Sequence, residues 1–282
     1  MQKKDLGMKK TSMKDKFKEM QKRNIALLAT NFYNYETLSG VMQAASQMKV
    51  PIILQLTKSS IDYMGLTVAV AMAKAALAQY KVEGWIHLDH GDTYELAAKC
   101  LEAGFDSVMI DASEKPLEEN IAVTKKVVEL AAKYDASVEA ELGYVAKLGQ
   151  SKEKTGFTDP EEARYFVEVT GVNALAVAIG TAHGFYAQEP KLDLERLQKI
   201  HSLTDAALVL HGGSGVPAST LREAIKRGIC KINLATEIKN TFIVALKNSL
   251  SKNDEIDLRK IFPTATNAVS DLVKEKLEII KN

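Results

Sequence analysis

Cysteine is scarce in this chain: Cys100 and Cys230 stand far apart, with no CxxC motif. No disulfide framework can be built from them, and two buried thiols in a reducing compartment are expected. Net charge is nearly absent too. The 37 Lys and Arg against 36 Asp and Glu leave +1, so nothing favours a polyanionic partner such as nucleic acid. Long apolar runs are missing. Val68–Ala78 comes nearest, but Lys74 interrupts it and it is too short to cross a bilayer. No uninterrupted apolar stretch follows the N-terminal lysines as a signal peptide requires. No membrane partner is expected, and a cytoplasmic location is. A proline- or glycine-rich linker is lacking as well, so residues 1–282 read as one domain.

What is present is ordinary for a soluble enzyme: 46% hydrophobic and 26% charged residues. A chain of 282 residues buries a sizeable core without staples. Basic residues crowd the N-terminus: Lys3, Lys4, Lys9, Lys10, Lys14, Lys16, Lys18, Lys22 and Arg23. Met8, Met13, Phe17 and Met20 recur among them at helical spacing, which makes an amphipathic helix with a solvated face rather than a nucleic-acid arm.

Eight short β-like runs follow: Ile25–Thr30, Ile52–Thr57, Trp85–Leu88, Ser107–Asp111, Ser137–Glu141, Ala174–Ile179, Ala207–His211 and Ile229–Leu234. Helical patterns lie between and after them: Glu36–Met48, Tyr63–Tyr80, Thr93–Ala103, Glu118–Tyr134, Pro160–Thr170, Asp193–Leu203, Ala218–Arg227 and Glu237–Leu250. Strands alternating with helices imply parallel pairing. Eight units in a chain of this size predict a closed (β/α)₈ TIM barrel, with an extra N-terminal helix and a final helix at Thr264–Ile280. A doubly wound sheet would need fewer units and a glycine fingerprint after the first strand, where Asn-Phe-Tyr-Asn stands instead. The longest irregular stretch, Gly143–Thr158, has the length of a lid or binding loop.

Active sites of such barrels form at the C-terminal strand ends. Those ends carry Asn31 and Asn34, Thr57, Asp89 and His90, Asp111, Glu139 and Glu141, His183, His211, and Asn233. Of the five histidines, His87 lies within a strand and His201 within a helix. His90, His183 and His211 each follow a different strand, and the barrel brings those ends together. Three imidazoles and an open position describe a catalytic zinc site able to polarise a carbonyl. Asp89 is placed for acid/base work, with Asp111 and Glu141 as outer or alternate ligands. His211-Gly212-Gly213-Ser214-Gly215 and the stretch Lys231–Glu237 fall where barrels build a phosphate site.

At these residues the chain resembles the class II fructose- and tagatose-bisphosphate aldolases. The matching segments are His87–Gly91, Met109–Ser113, Ser137–Gly143, Gly180–Gly184, Leu210–Gly215 and Lys231–Glu237, in family order. The resemblance implies reversible cleavage of a ketose bisphosphate to dihydroxyacetone phosphate and glyceraldehyde 3-phosphate. It implies zinc on His90, His183 and His211, with a second or alternate position through Asp111 and Glu141. Asp89 would take the C4 hydroxyl proton, and Glu141 is a further catalytic candidate. Asn31, Gly184, Gly212, Gly213, Ser214, Asn233, Leu234, Ala235 and Thr236 would contact substrate, with a sodium or potassium ion near the phosphate. Arg259 resembles a family arginine that reaches the second phosphate, often from a neighbouring subunit, and family members are homodimers or homotetramers. The loop after the fifth strand departs from the family's Gly-Gly-x-Glu-Asp-like segment, whose acid helps proton transfer; Glu153 is the candidate here, and the identity of that acid is left open. Ala187 and Asn233–Thr236 look tagatose-type, whereas Gln55 and Gly213 look fructose-type, which leaves the sugar epimer open. Lys58 reads as a solvated lysine or a phosphate contact. A metal-dependent aldolase or epimerase on a monophosphorylated sugar, and a non-catalytic sugar-phosphate-binding barrel, are the alternatives.

Overall fold

Alternation within the strands builds two separate interiors. The computed structural model describes residues 11–147, 156–186, 188–252 and 254–281. Its barrel strands are β1 (Leu27–Asn31), β2 (Ile52–Thr57), β3 (Gly84–Gly91), β4 (Ser107–Ile110), β5 (Ser137–Leu142), β6 (Ala174–Val177), β7 (Ala207–Leu210) and β8 (Ile229–Leu234). Each pairs in parallel with the next, and β8 pairs with β1, so the predicted TIM barrel is closed. Because side chains alternate faces along a strand, Val138, Ala140 and Leu142 join the large core under the helices. Glu139 and Glu141, between them, are left to the barrel interior.

Among the described residues eleven α-helices surround the strands: α1 (Met13–Arg23), α2 (Tyr35–Met48), α3 (Lys58–Met64), α4 (Leu66–Tyr80), α5 (Tyr94–Ala103), α6 (Leu117–Ala131), α7 (Pro160–Thr170), α8 (Leu194–Leu203), α9 (Ala218–Lys226), α10 (Thr236–Leu250) and α11 (Leu258–Ile280). The N-terminal helix closes the bottom of the barrel. Met13, Phe17 and Met20 pack with Leu27, Ala29, Ile53, Trp85, Ala176 and Val209 in a second, smaller core. Trp85 Nε1 donates to Thr11 O at 3.0 Å, so the indole proton is satisfied there.

Two helix boundaries differ from the sequence reading. The pattern Tyr63–Tyr80 is two helices, α3 and α4, bent by 95°. Gly65 makes the break: its φ of 82° is backbone that a side chain rarely adopts. The final helix begins at Leu258 rather than Thr264, with Pro263 inside it and Asp257 accepting the Arg259 N–H as its cap. Within the long loop after β5, Ala146–Lys147 forms a two-residue strand beside Ala182–His183. Met8 and Lys3, Lys4, Lys9 and Lys10 of the expected N-terminal helix, and Glu153 and Ala187, lie outside the described residues. Among the described residues no single helix is long and apolar enough to cross a membrane. Both cysteines are free and buried.

Candidate active site

Consecutive strand residues ordinarily face opposite sides, yet Asp89 and His90 line the same cavity at the end of β3. The pairing of β3 with β4 shifts register between Leu88 and Gly91, and His90 takes a left-handed φ of 49°. For a residue with a Cβ that conformation costs about 1–2 kcal/mol. A hydrogen bond offsets it: His90 Nδ1 donates to Asp111 Oδ2 at 2.6 Å. The Ser113 hydroxyl and backbone N–H hold the other Asp111 oxygen at 2.8 and 3.2 Å. Burial raises the Asp111 carboxyl, but His90 and Ser113 outweigh it and hold the group below its ordinary value.

His90 Nε2 is thereby freed toward the two other rim histidines. The ring of His90 lies 5.0 Å from that of His183 and 4.7 Å from that of His211, centre to centre. One ligand atom from each of the three falls within 4.8 Å of the others, and His90, Asp111 and Glu141 form a second such group. His211 is fully buried; its Nε2 donates to Glu139 Oε1 at 3.0 Å. Its Nδ1 lies 2.9 Å from Glu141 Oε2, off the line a hydrogen bond needs, and neither atom has a hydrogen-bond partner. Burial opposes charge on His211, but Glu139 and Glu141 outweigh it and raise the imidazole to about 10. Two orphaned buried donor atoms and three imidazoles are what a divalent ion of borderline softness takes up, so these residues fit a metal.

Asp89 is gripped from both sides. Asn31 Nδ2 donates to Oδ2 at 2.9 Å and Asn233 Nδ2 to Oδ1 at 3.2 Å. Gln55 orients Asn31 by donating to its Oδ1 at 3.2 Å. Burial pushes the Asp89 carboxyl up, but His90, His211, Lys231 and the Asn31 amide pull harder, and it lies below its ordinary value. It is therefore a carboxylate at neutral pH, with both oxygens fixed, 4.0 Å from His90 Nε2.

The opposite wall is built for an anion. Ala235 and Thr236, at the start of α10, border the cavity with Gly184, Gly212 and Ser214. Ala235 has no capping side chain, and Ser214 Oγ accepts only the Glu237 N–H, at 3.3 Å. The first turn thus presents N–H groups and the positive end of the helix dipole. Gly212 has a φ of 67°, and a Cβ there would collide with the Ala182 carbonyl. The Tyr186 hydroxyl binds both loops: it accepts the Ala182 N–H at 2.7 Å and lies 2.9 Å from the carbonyls of Ala182 and Gly212.

A family model described as class II fructose-bisphosphate aldolase matches residues 11–282. The chain belongs to the class II aldolase family. It is 40% identical over 273 residues to the D-tagatose-1,6-bisphosphate aldolase subunit GatY of Klebsiella oxytoca, covering 95% of this chain and 96% of that one. The solved YdjI aldolase of Escherichia coli K12 is 31% identical, with a TM-score of 0.86 and coverage of 95% and 96%. A putative fructose-1,6-bisphosphate aldolase of Coccidioides immitis is 27% identical, with a TM-score of 0.87 and 97% of each chain covered.

The class II aldolase cavity here has a volume of about 230 Å³. Of the residues named from the sequence as substrate contacts, Asn31, Gly184, Gly212, Ser214, Asn233, Ala235 and Thr236 line it. Gly213 does not, since its Cα packs against β8, where an added Cβ would meet Ile232 at 2.7 Å. Leu234 is turned into the helix-facing core. Arg259 is ion-paired to Asp257 at 2.9 Å and lines a separate cavity with Tyr35 and Phe262. Lys58 pairs with Asp62 on the surface. Tyr33, Ser59 and Lys239 line the site but escaped the sequence reading. Lys239, four residues into the Ala235–Lys239 turn, holds its ammonium 5.6 Å from the Tyr33 ring centre.

Proposed function

We propose that this class II aldolase cleaves tagatose 1,6-bisphosphate to dihydroxyacetone phosphate and glyceraldehyde 3-phosphate, with zinc on His90, His183 and His211. The observation that carries the reading is the meeting of those three imidazoles with a doubly anchored Asp89 and an anion-binding helix start in one cavity. The sugar rests on the 40% identity to the tagatose-bisphosphate enzyme subunit and on Asn233–Thr236.

When bound, zinc supplies Lewis-acid polarisation of the substrate carbonyl. The chain's own groups do the rest. The α10 start and the loops at Gly184 and Gly212–Ser214 hold the phosphate of the three-carbon half. Lys239, the one lysine or arginine lining the cavity among the described residues, adds its charge there. Asp89 accepts the C4 hydroxyl proton as the C3–C4 bond breaks, and the bonding pair stays with the dihydroxyacetone phosphate half. A proton returned to C3 completes that product; Glu153 is the proposed loop donor. Glu141 Oε2 lies 2.9 Å from His211 Nδ1, and Glu141 is proposed as a ligand of the alternate group with His90 and Asp111.

Release of dihydroxyacetone phosphate, followed by a coupled assay on tagatose and fructose 1,6-bisphosphates with and without chelator, tests this. Chelator-sensitive cleavage with the tagatose epimer faster is expected. Cleavage of neither sugar would overturn the reading.

Arg259 favours a second reading. It does not reach its own chain's cavity, so the second phosphate needs a neighbouring copy in a homodimer or homotetramer, or the substrate has one phosphate. Arg259→Ala separates them. A raised KM for the bisphosphate means a partner's arginine; no change, with good turnover of a ketose 1-phosphate, means a monophosphorylated substrate.

A further inference from the structure

Beneath the rim histidines the barrel holds a chain of buried polar groups that neither grip substrate nor move its protons. Lys231 and His87 are fully buried and Glu139 nearly so. They come from β8, β3 and β5, at inward-facing positions, and they meet near the barrel axis. Lys231 Nζ donates to Glu139 Oε2 at 2.7 Å and to His87 Nε2 at 3.3 Å. His87 Nδ1 then donates to Ser107 Oγ at 2.9 Å. The remaining Glu139 oxygen, Oε1, takes the His211 Nε2–H at 3.0 Å. Each member has a partner, as buried polar groups require.

An imidazole gives one nitrogen to a metal and donates a proton from the other. Glu139 accepts at Nε2, so His211 presents Nδ1, one of the buried atoms without a hydrogen-bond partner. Glu139 can impose that choice only while its carboxylate is held in one orientation. Lys231 occupies the second oxygen and is itself steadied by His87. We propose that Lys231 is a positioning residue of the metal centre: acting through Glu139, it fixes which nitrogen of His211 faces the ion. This rests on the reading of His90, His183 and His211 as ligands.

The test measures zinc affinity, by competition with a chromophoric chelator, for the wild-type protein, Lys231→Met and the double variant Lys231→Met/Glu139→Gln. The visible spectrum of the cobalt(II)-loaded proteins is recorded alongside. Lys231→Met should bind zinc about tenfold more weakly and shift the cobalt spectrum. The double variant should regain most of the affinity. Its introduced amide oxygen still accepts from Nε2, no unpaired carboxylate remains, and the amide nitrogen can turn to His87 Nε2, which lies 3.7 Å from Glu139 Oε2. Folded Lys231→Met with unchanged affinity and spectrum would overturn the inference, as would a double variant no tighter than the single. Imidazole ¹⁵N spectra of the zinc-loaded wild-type protein need no variant to fold. They should show the metal on His211 Nδ1 and the proton on Nε2; the reverse overturns the inference while leaving the ligand reading intact. A wild-type protein that binds no zinc overturns both.

Discussion

At the scale of single residues, Asp89 and His211 divide the work cleanly enough to be separated. Asp89→Ala leaves the imidazoles in place, so metal content and fold should persist while kcat falls by roughly 10²–10⁴. Normal cleavage by that variant would remove Asp89 from the chemistry. His211→Ala should lose metal and activity together, read by metal analysis of the purified protein. Lys239→Met should raise KM for dihydroxyacetone phosphate in the condensation direction more than it lowers kcat. Much of this site was legible because His90, His183 and His211 each stand directly after a strand. Lys239 was not, since a lysine in a helical pattern reads as solvent-facing; only its place in the first turn after β8 marks it. Lys231 hid inside an apolar strand, where nothing in the sequence tells a buried ammonium from a surface one until Glu139 is seen opposite.

At the scale of elements, the eight strands were legible from their apolar runs because both faces are covered, one by helices and one by the barrel's own filling. What the runs could not show is where polarity enters the interior. The bend after α3 was signalled only by Gly65, and the two-residue strand at Ala182–His183 is too short to carry a pattern. The turn at Gly212 is the element most exposed to test. Gly212→Ala must leave the left-handed region or displace the Ala182 carbonyl, next to His183. The variant should lose at least 1–2 kcal/mol of stability and bind metal more weakly, measured by thermal unfolding and chelator competition. An unchanged melting curve would mean the turn relaxes without cost.

Two buried histidines give opposing contributions to the whole molecule's response to pH. Burial and the Lys231 ammonium lower His87 to about 3 from an ordinary 6.5. Between those values the unfolded chain binds the extra proton, so stability rises with pH. His211, raised to about 10 from 6.5, does the opposite. There the folded protein holds the extra proton, and its contribution, complete below about 6.5, is lost as pH rises toward 10. Metal-free protein should therefore melt highest near pH 6.5, and zinc should abolish the alkaline decline by taking His211 Nδ1. A melting temperature flat from pH 6.5 to 8.5 after chelation would refute the His211 contribution.

Tyr186 makes a splint of two loops. Its hydroxyl joins the backbone beside His183 to the backbone beside His211, so two of the three proposed ligands are fastened to one another. An ion held this way does not escape by shedding one ligand and then the next. Release waits for both loops to open at once, and exchange of zinc against the surrounding pool should be slow and run with a single rate.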